Sequence, residues 1–181
     1  MPTFAFHLAI TLIFLTIFLR KDESKYALLL LPFGVVSDLD CFFGVHRATL
    51  HNLAIIVIPL ILYIPWRNRE ESKYLPVASA LIALHVISDG FATGVFLLYP
   101  LSSVSYDLNL WLGLTMEGVS FILEYVTVGE VGEVVYTTTP SPEVPRAPII
   151  SSGTEFIVLL LAILLFLSKF NWKLVSKRFS R

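Results

Sequence analysis

The chain has 181 residues, one domain in size, and 56% of them are hydrophobic, with a mean hydropathy of +0.77 and a formal net charge of −1. That apolar content lies well above an ordinary soluble composition, and the near-zero charge gives no electrostatic reason to expect a nucleic-acid partner. A single cysteine, Cys41, excludes an intramolecular disulfide and a thiolate metal cluster.

A hydrocarbon core takes roughly 17 to 25 residues of helix, and five stretches approach that length. In chain order they are Phe4 to Leu19, Tyr26 to Val45, Leu50 to Trp66, Tyr74 to Pro100 and Glu155 to Trp172. The first is followed, not preceded, by basic residues (Arg20, Lys21), the reverse of a secretory signal, and reads as a retained span. The expected fold is therefore an all-α polytopic membrane protein with about five transmembrane helices.

Basic residues orient such spans, because short cytoplasmic loops are rich in Lys and Arg. Arg20, Lys21 and Lys25 follow the first stretch, Arg67, Arg69 and Lys73 the third, and Lys169, Lys173, Lys177, Arg178 and Arg181 end or follow the fifth. Only Arg47 and Arg146 fall on the other side. The expectation is an integral membrane protein with its N-terminus outside and its C-terminus in the cytoplasm. Residues 1–100 form a four-span bundle, 101–154 an extracytoplasmic cap, and 155–181 a fifth helix with a basic tail. Asp107 to Val128 could be read as a sixth span, but Glu117, Glu124 and its β-branched and aromatic content favour strands. The cap is expected to hold a β-hairpin, with Gly118 to Val128 and Glu133 to Thr139 joined by a turn at 129–132.

All four histidines lie in or beside these apolar stretches, together with Asp38, Asp40 and Asp89. Ionisable groups are expensive there and mark function. The orientation above brings His7, Asp38, Asp40, His46, Arg47, His51, His85 and Asp89 to one side of the bilayer. His85 and Asp89 are four apart on one helix, so both face one point, and imidazole with carboxylate suits zinc or another divalent ion. Asp38 and Asp40 are two apart and cannot both face that ion in a continuous helix, although Pro32, Gly34 and Gly44 make a broken one plausible. His51 shares a helical face with Arg47 and is expected to be a ligand, while Arg47 is expected to point toward an anionic substrate group. His46 points elsewhere in that reading. Tyr63, Trp66, Tyr99, Trp111 and Trp172 read as interfacial residues.

Taken together, His7, Ser37-Asp38-Leu39-Asp40, His46-Arg47-Ala48-Thr49-Leu50-His51-Asn52 and His85-x3-Asp89-Gly90 with Tyr99-Pro100 after it resemble the YdjM-like membrane-bound metal-dependent hydrolases. The resemblance covers about residues 1–100. It departs at Ser37, where Pro is usual, and at Ala48, which replaces the common Gly. That family is itself similar to zinc-dependent phospholipase C. The similarity implies one site from Asp38 or Asp40 with His51, His85 and Asp89, and part of a second from His7 and Asp89. The further His and His-x3-Glu ligands of the soluble enzymes have no counterpart after residue 100.

The expected function is an integral-membrane, phospholipase-like hydrolase that uses one or two divalent ions, zinc foremost, to activate water. Its substrate would be a phosphoester, on a lipid or lipid-linked headgroup, and membrane lipid its partner. Metal ligands are expected among His7, Asp38, His51, His85 and Asp89. Arg47 and Asp40 would be catalytic, Asp40 as the general base if Asp38 is the ligand. Two rivals are a membrane transport protein, which needs polar residues through the inner half of the bilayer, and a non-enzymatic protein whose metal only staples the bundle.

Overall fold

The computed structural model describes residues 3–43, 46–91, 94–115, 118–130 and 149–170. The described residues are mostly helical. Helix α1 (Phe4–Phe18) leads through a short 3₁₀ turn (Lys21–Glu23) into α2 (Ser24–Leu30). Two more 3₁₀ turns, Leu31–Gly34 and Val36–Leu39, then bring the chain to the single-turn α3 (Asp40–Phe43). An irregular loop precedes α4 (Leu53–Trp66), and the antiparallel α5 (Tyr74–Gly90) returns beside it. Strands β1 (Val104–Thr115) and β2 (Gly118–Glu130) form an antiparallel hairpin, and α6 (Gly153–Lys169) closes the fold.

The length of these helices corrects the expected architecture. At 1.5 Å per residue, the 15 residues of α1 reach roughly 22 Å, the 14 of α4 roughly 21 Å, and the 17 each of α5 and α6 roughly 25 Å, against a hydrocarbon core of about 30 Å. Among the described residues no helix is long and apolar enough to cross a membrane. The apolar runs are longer than the helices they produce. The run from Tyr26 gives only five residues of α2 before passing into 3₁₀ turns, where Pro32 has no N–H to donate to a helical ladder. The run from Leu50 becomes helical only at Leu53. The polytopic fold of about five spans, the N-outside and C-cytoplasmic orientation, and the integral-membrane localisation are therefore not supported.

The hairpin also differs from expectation. Gly118–Glu130 is a strand, but it pairs with the preceding segment, Leu110 opposite Leu123 and Leu112 opposite Phe121. The expected turn at 129–132 falls partly, and the expected partner at 133–139 wholly, outside the described residues. At its root Val95 bridges Tyr106, tying the hairpin to the segment after α5.

A core of small and branched side chains joins α1, α2, α5 and α6. Ala9 and Ala162 are fully buried, which lets helix backbones approach, and Leu12, Leu15, Leu30, Leu81 and Phe166 fill the space between them. Helices α1 and α6 run parallel and are held at both ends. Thr3 Oγ1 donates to Glu155 Oε2 at 2.9 Å where they start, and Lys169 Nζ donates to the Thr16 carbonyl where they end. Ser152 caps α6 by accepting from Glu155 N at 3.2 Å, and Glu155 sits in the first turn, where the helix dipole favours an anion. The outer faces of α4 and α6 keep large apolar side chains exposed, including Ile61, Ile64, Leu161 and Leu164.

The end of the bundle where α1 stops and α5 starts carries a second polar cluster. Glu23 accepts from Arg20 N (2.8 Å) and Tyr74 Oη (2.8 Å) and pairs with Lys73 Nζ at 2.9 Å, while the rings of Tyr26 and Tyr74 stack at 3.9 Å. Burial acts to raise the Glu23 pKa, but these three donors outweigh it and lower it from 4.5 to about 2. A depressed carboxylate stabilises the fold above its unfolded pKa and loses that contribution as pH falls through the folded one. Glu23→Gln is therefore expected to lower the melting temperature at pH 7, and the gap to the unsubstituted protein should close as pH is taken from about 4.5 to 2. Thermal denaturation by circular dichroism across that range checks it, and a pH-independent gap would refute it.

Candidate metal centre

The other end of the bundle gathers the residues that the sequence singles out. His7 comes from the start of α1, Asp38 from the 3₁₀ turn, and Asp40 from the start of α3. His46, Arg47 and His51 come from the loop before α4, and His85 and Asp89 from the last turns of α5. Most are deeply buried: relative exposure is 0% for Asp40 and His51, 1% for Arg47 and Asp89, 2% for His7 and 3% for His85.

Four atoms converge. His51 Nε2 lies 3.2 Å from His85 Nε2, 3.1 Å from Asp89 Oδ2 and 4.0 Å from Asp38 Oδ1. His85 Nε2 lies 3.4 Å from Asp38 Oδ1 and 3.8 Å from Asp89 Oδ2. Ligands bonded at about 2.0–2.2 Å to a tetrahedral ion stand roughly 3.3–3.6 Å from each other, so this spacing suits a divalent cation between them. His7 approaches from the other side, its Nε2 3.1 Å from Asp89 Oδ1, without hydrogen-bond geometry between them. His7, Asp38, His85 and Asp89 offer donor atoms that all lie within 4.8 Å of one another, as do Asp40, His46 and His51. These buried His and Asp groups could hold a metal ion.

The remaining ring nitrogens say which way the lone pairs point. His85 Nδ1 donates to the Gly34 carbonyl at 2.8 Å, and His51 Nδ1 to Asp40 Oδ2 at 2.9 Å. Ser88 Oγ gives its proton to the His85 carbonyl (2.8 Å), so it accepts from His7 Nδ1 at 3.2 Å. Each of the three rings therefore carries a proton on Nδ1 and, when neutral, turns a bare Nε2 toward Asp89. Acceptors behind histidines that fix the tautomer in this way usually accompany the ligands of a metal site, orienting the ring and raising its basicity.

The local backbone explains these positions. The break at Pro32 lets Asp38 and Asp40, two residues apart, face different partners: Asp38 meets His85, while Asp40 accepts from His46 Nδ1 (2.8 Å), His51 Nδ1 and Leu50 N (3.1 Å). Gly34 is required here, because a Cβ would sit 1.8 Å from Thr11 Oγ1 on α1; without one, the Gly34 carbonyl can reach His85. Arg47 adopts φ +66°, a left-handed conformation uncommon outside glycine. Its carbonyl accepts from Phe96 N at 3.0 Å, and its guanidinium reaches Asp89 O (3.5 Å), Gly94 O (3.3 Å) and Asp89 Oδ1 (3.5 Å). The loop is not a helix, so the expected helical pairing of Arg47 with His51 does not apply; the two instead meet Asp89 at different oxygens. Asn52 closes the loop, donating to the carbonyls of Ala48 and Thr49 and accepting from Ile55 N to cap α4.

Sequence reasoning left His46 out of the site, whereas it shares Asp40 with His51. It also missed Ser88 and the Gly34 carbonyl. Ser88 was within reach, three residues from His85 and next to Asp89; nothing in the sequence marks a carbonyl.

Electrostatics follows the geometry. Burial opposes ionisation of Asp89, but His51, His7 and Arg47 hold its carboxyl far below the ordinary range. Asp40 is likewise lowered to about 2 by His46 and His51 against the effect of burial. Burial lowers the His7 pKa. For His51, burial disfavours the cation, yet hydrogen bonds to Asp40 and Asp89 dominate and raise the pKa to about 9. Without a metal, a proton on His51 supplies part of the charge that the carboxylates demand.

Comparison of the chain with protein-family models, curated proteins and solved structures found no match.

A raised histidine pKa stabilises the fold below the unfolded value of 6.5, and that stability drains as pH rises through about 9. Metal-free protein is thus expected to lose melting temperature between pH 6.5 and 9. His51→Gln should flatten that slope, as followed by scanning calorimetry with chelator present. An unchanged slope in the variant would rule His51 out as its source.

Proposed function

We propose that the chain is a divalent-metal-dependent hydrolase of phosphoesters, with zinc its foremost candidate ion. Asp38, His51, His85 and Asp89 would hold the metal. The observation that carries this is the convergence of two Nε2 lone pairs and two carboxylate oxygens, with both rings pinned through Nδ1 by acceptors behind them. The resemblance of residues 1–100 to YdjM-like hydrolases supports the reaction class. A bound divalent ion supplies Lewis-acid polarisation and lowers the pKa of water toward 7.

The chain's own residues have distinct tasks. Asp40, with both oxygens engaged, orients His51 and Leu50 N. Asp38 is the carboxylate that opens outward, its side chain 16% exposed against 1% for Asp89. As the ligand that reaches solvent, Asp38 is the donor that can give way to water at the metal. Arg47 braces Asp89 and the Gly94 carbonyl, so contact with an anionic substrate remains an expectation from sequence alone. A lipid headgroup rests on depth in a bilayer, and the transport rival on the same spans; both lose that basis with the helix lengths. The staple reading differs from an enzyme by an open ligand position: four protein donors close a tetrahedral site, so turnover requires Asp38, the exposed one, to yield its place to water.

Purified protein reloaded with zinc is expected to hydrolyse bis-p-nitrophenyl phosphate in a chelator-sensitive manner. His85→Ala should lose stoichiometric metal, and Asp40→Asn, acting through His51, should weaken metal binding about 10–100-fold. Metal retained at full stoichiometry by both His85→Ala and Asp89→Ala would refute the site. Metal-replete protein inert toward a panel of phosphomonoesters and diesters would leave the staple.

A further inference from the structure

Asp89 presents its two oxygens to different company. Oδ2 faces His51 and His85, the pair that shares Asp38. Oδ1 faces His7 Nε2 at 3.1 Å and Arg47 Nη2 at 3.5 Å. A carboxylate with nitrogen donors on both oxygens has the form of a bridge between two cations. On the Oδ1 side a cation is already present in the chain: the Arg47 guanidinium, 1% exposed and anchored to the Asp89 and Gly94 carbonyls.

The charge count agrees. Asp38, Asp40 and Asp89 bring three negative charges to this His/Asp cluster, and Arg47 brings one positive. With neutral histidines the remainder is two negative charges, which one divalent ion balances, and buried charge has to be balanced. Resting on the metal-site reading above, we infer that Arg47 is a built-in substitute for a second metal ion. The centre is mononuclear, and His7 is a donor left without its ion.

Metal counting tests this without reference to turnover. Chelator-stripped protein is reloaded with excess zinc, desalted, and analysed for zinc per chain by mass spectrometry. The unsubstituted protein is expected to hold one ion, and His7→Ala also one. Arg47→Met should hold two, and Arg47→Met with His7→Ala should return to one. Two ions in the unsubstituted protein would overturn the inference and leave the metal-site reading intact; none would bring down that reading. Arg47→Met remaining at one ion would remove Arg47 from the role. Should Arg47→Met not fold, the counts for the unsubstituted protein and for His7→Ala decide, since loss of the single ion in His7→Ala places His7 among its ligands and overturns the proposal.

Discussion

Asp89 is 1% exposed and sits at the C-terminal end of a helix, where the backbone dipole already carries negative character. Such a carboxylate has to be met by positive charge from elsewhere in the chain or from solution. Four residues from three segments meet it: His7 from α1, Arg47 and His51 from the loop before α4, and His85 from its own helix. Removing one partner of a buried charge pair costs about 3–5 kcal/mol, a large share of the roughly 5–15 kcal/mol that holds a domain together. The convergence of these segments is thus as much a condition of folding as of chemistry.

The surrounding structure reads as the means of meeting that condition. Two interruptions of helix are involved, the break at Pro32 and Gly34 and the loop at 46–52. The first delivers Asp38, Asp40 and a backbone carbonyl; the second delivers His46, Arg47 and His51. A regular helix through the first would have sent Asp38 and Asp40 to nearly opposite faces, and one through the second would have turned His46 away from Arg47 and His51. Arg47 adds backbone strain in return for three contacts around Asp89, consistent with the way unusual φ/ψ values gather where neighbours over-determine them.

Much of the site was legible and much of the fold was not, for one physical reason. Titratable groups in apolar sequence need partners, so the sequence alone groups His7, Asp38, His51, His85 and Asp89. Apolar runs, by contrast, do not state how they fold. The run from Tyr26 yields five residues of α2 before the 3₁₀ turn at Pro32 ends it, and α4 starts three residues later than its apolar run. The hairpin partner was overlooked although Val104, Tyr106, Leu108, Leu110, Leu112 and Leu114 alternate with smaller or polar residues in all but one place, a period of two that marks a strand. The expected hairpin pairs Gly118–Val128 with Glu133–Thr139 instead. His46 was set aside because a helix was assumed where a loop exists, and the helical angle from His51 had no meaning there.

Asn52 ends the loop and begins a helix with the same side chain. Its amide nitrogen holds the carbonyls of Ala48 and Thr49, and its oxygen caps α4. The six positions from Arg47 to Asn52 are in this way metered against a rigid rod. Insertions or deletions inside this stretch would move His51 relative to Asp89. Chains that build the same centre should therefore be recognisable by a fixed count between these residues, even where the surrounding apolar sequence has drifted beyond comparison.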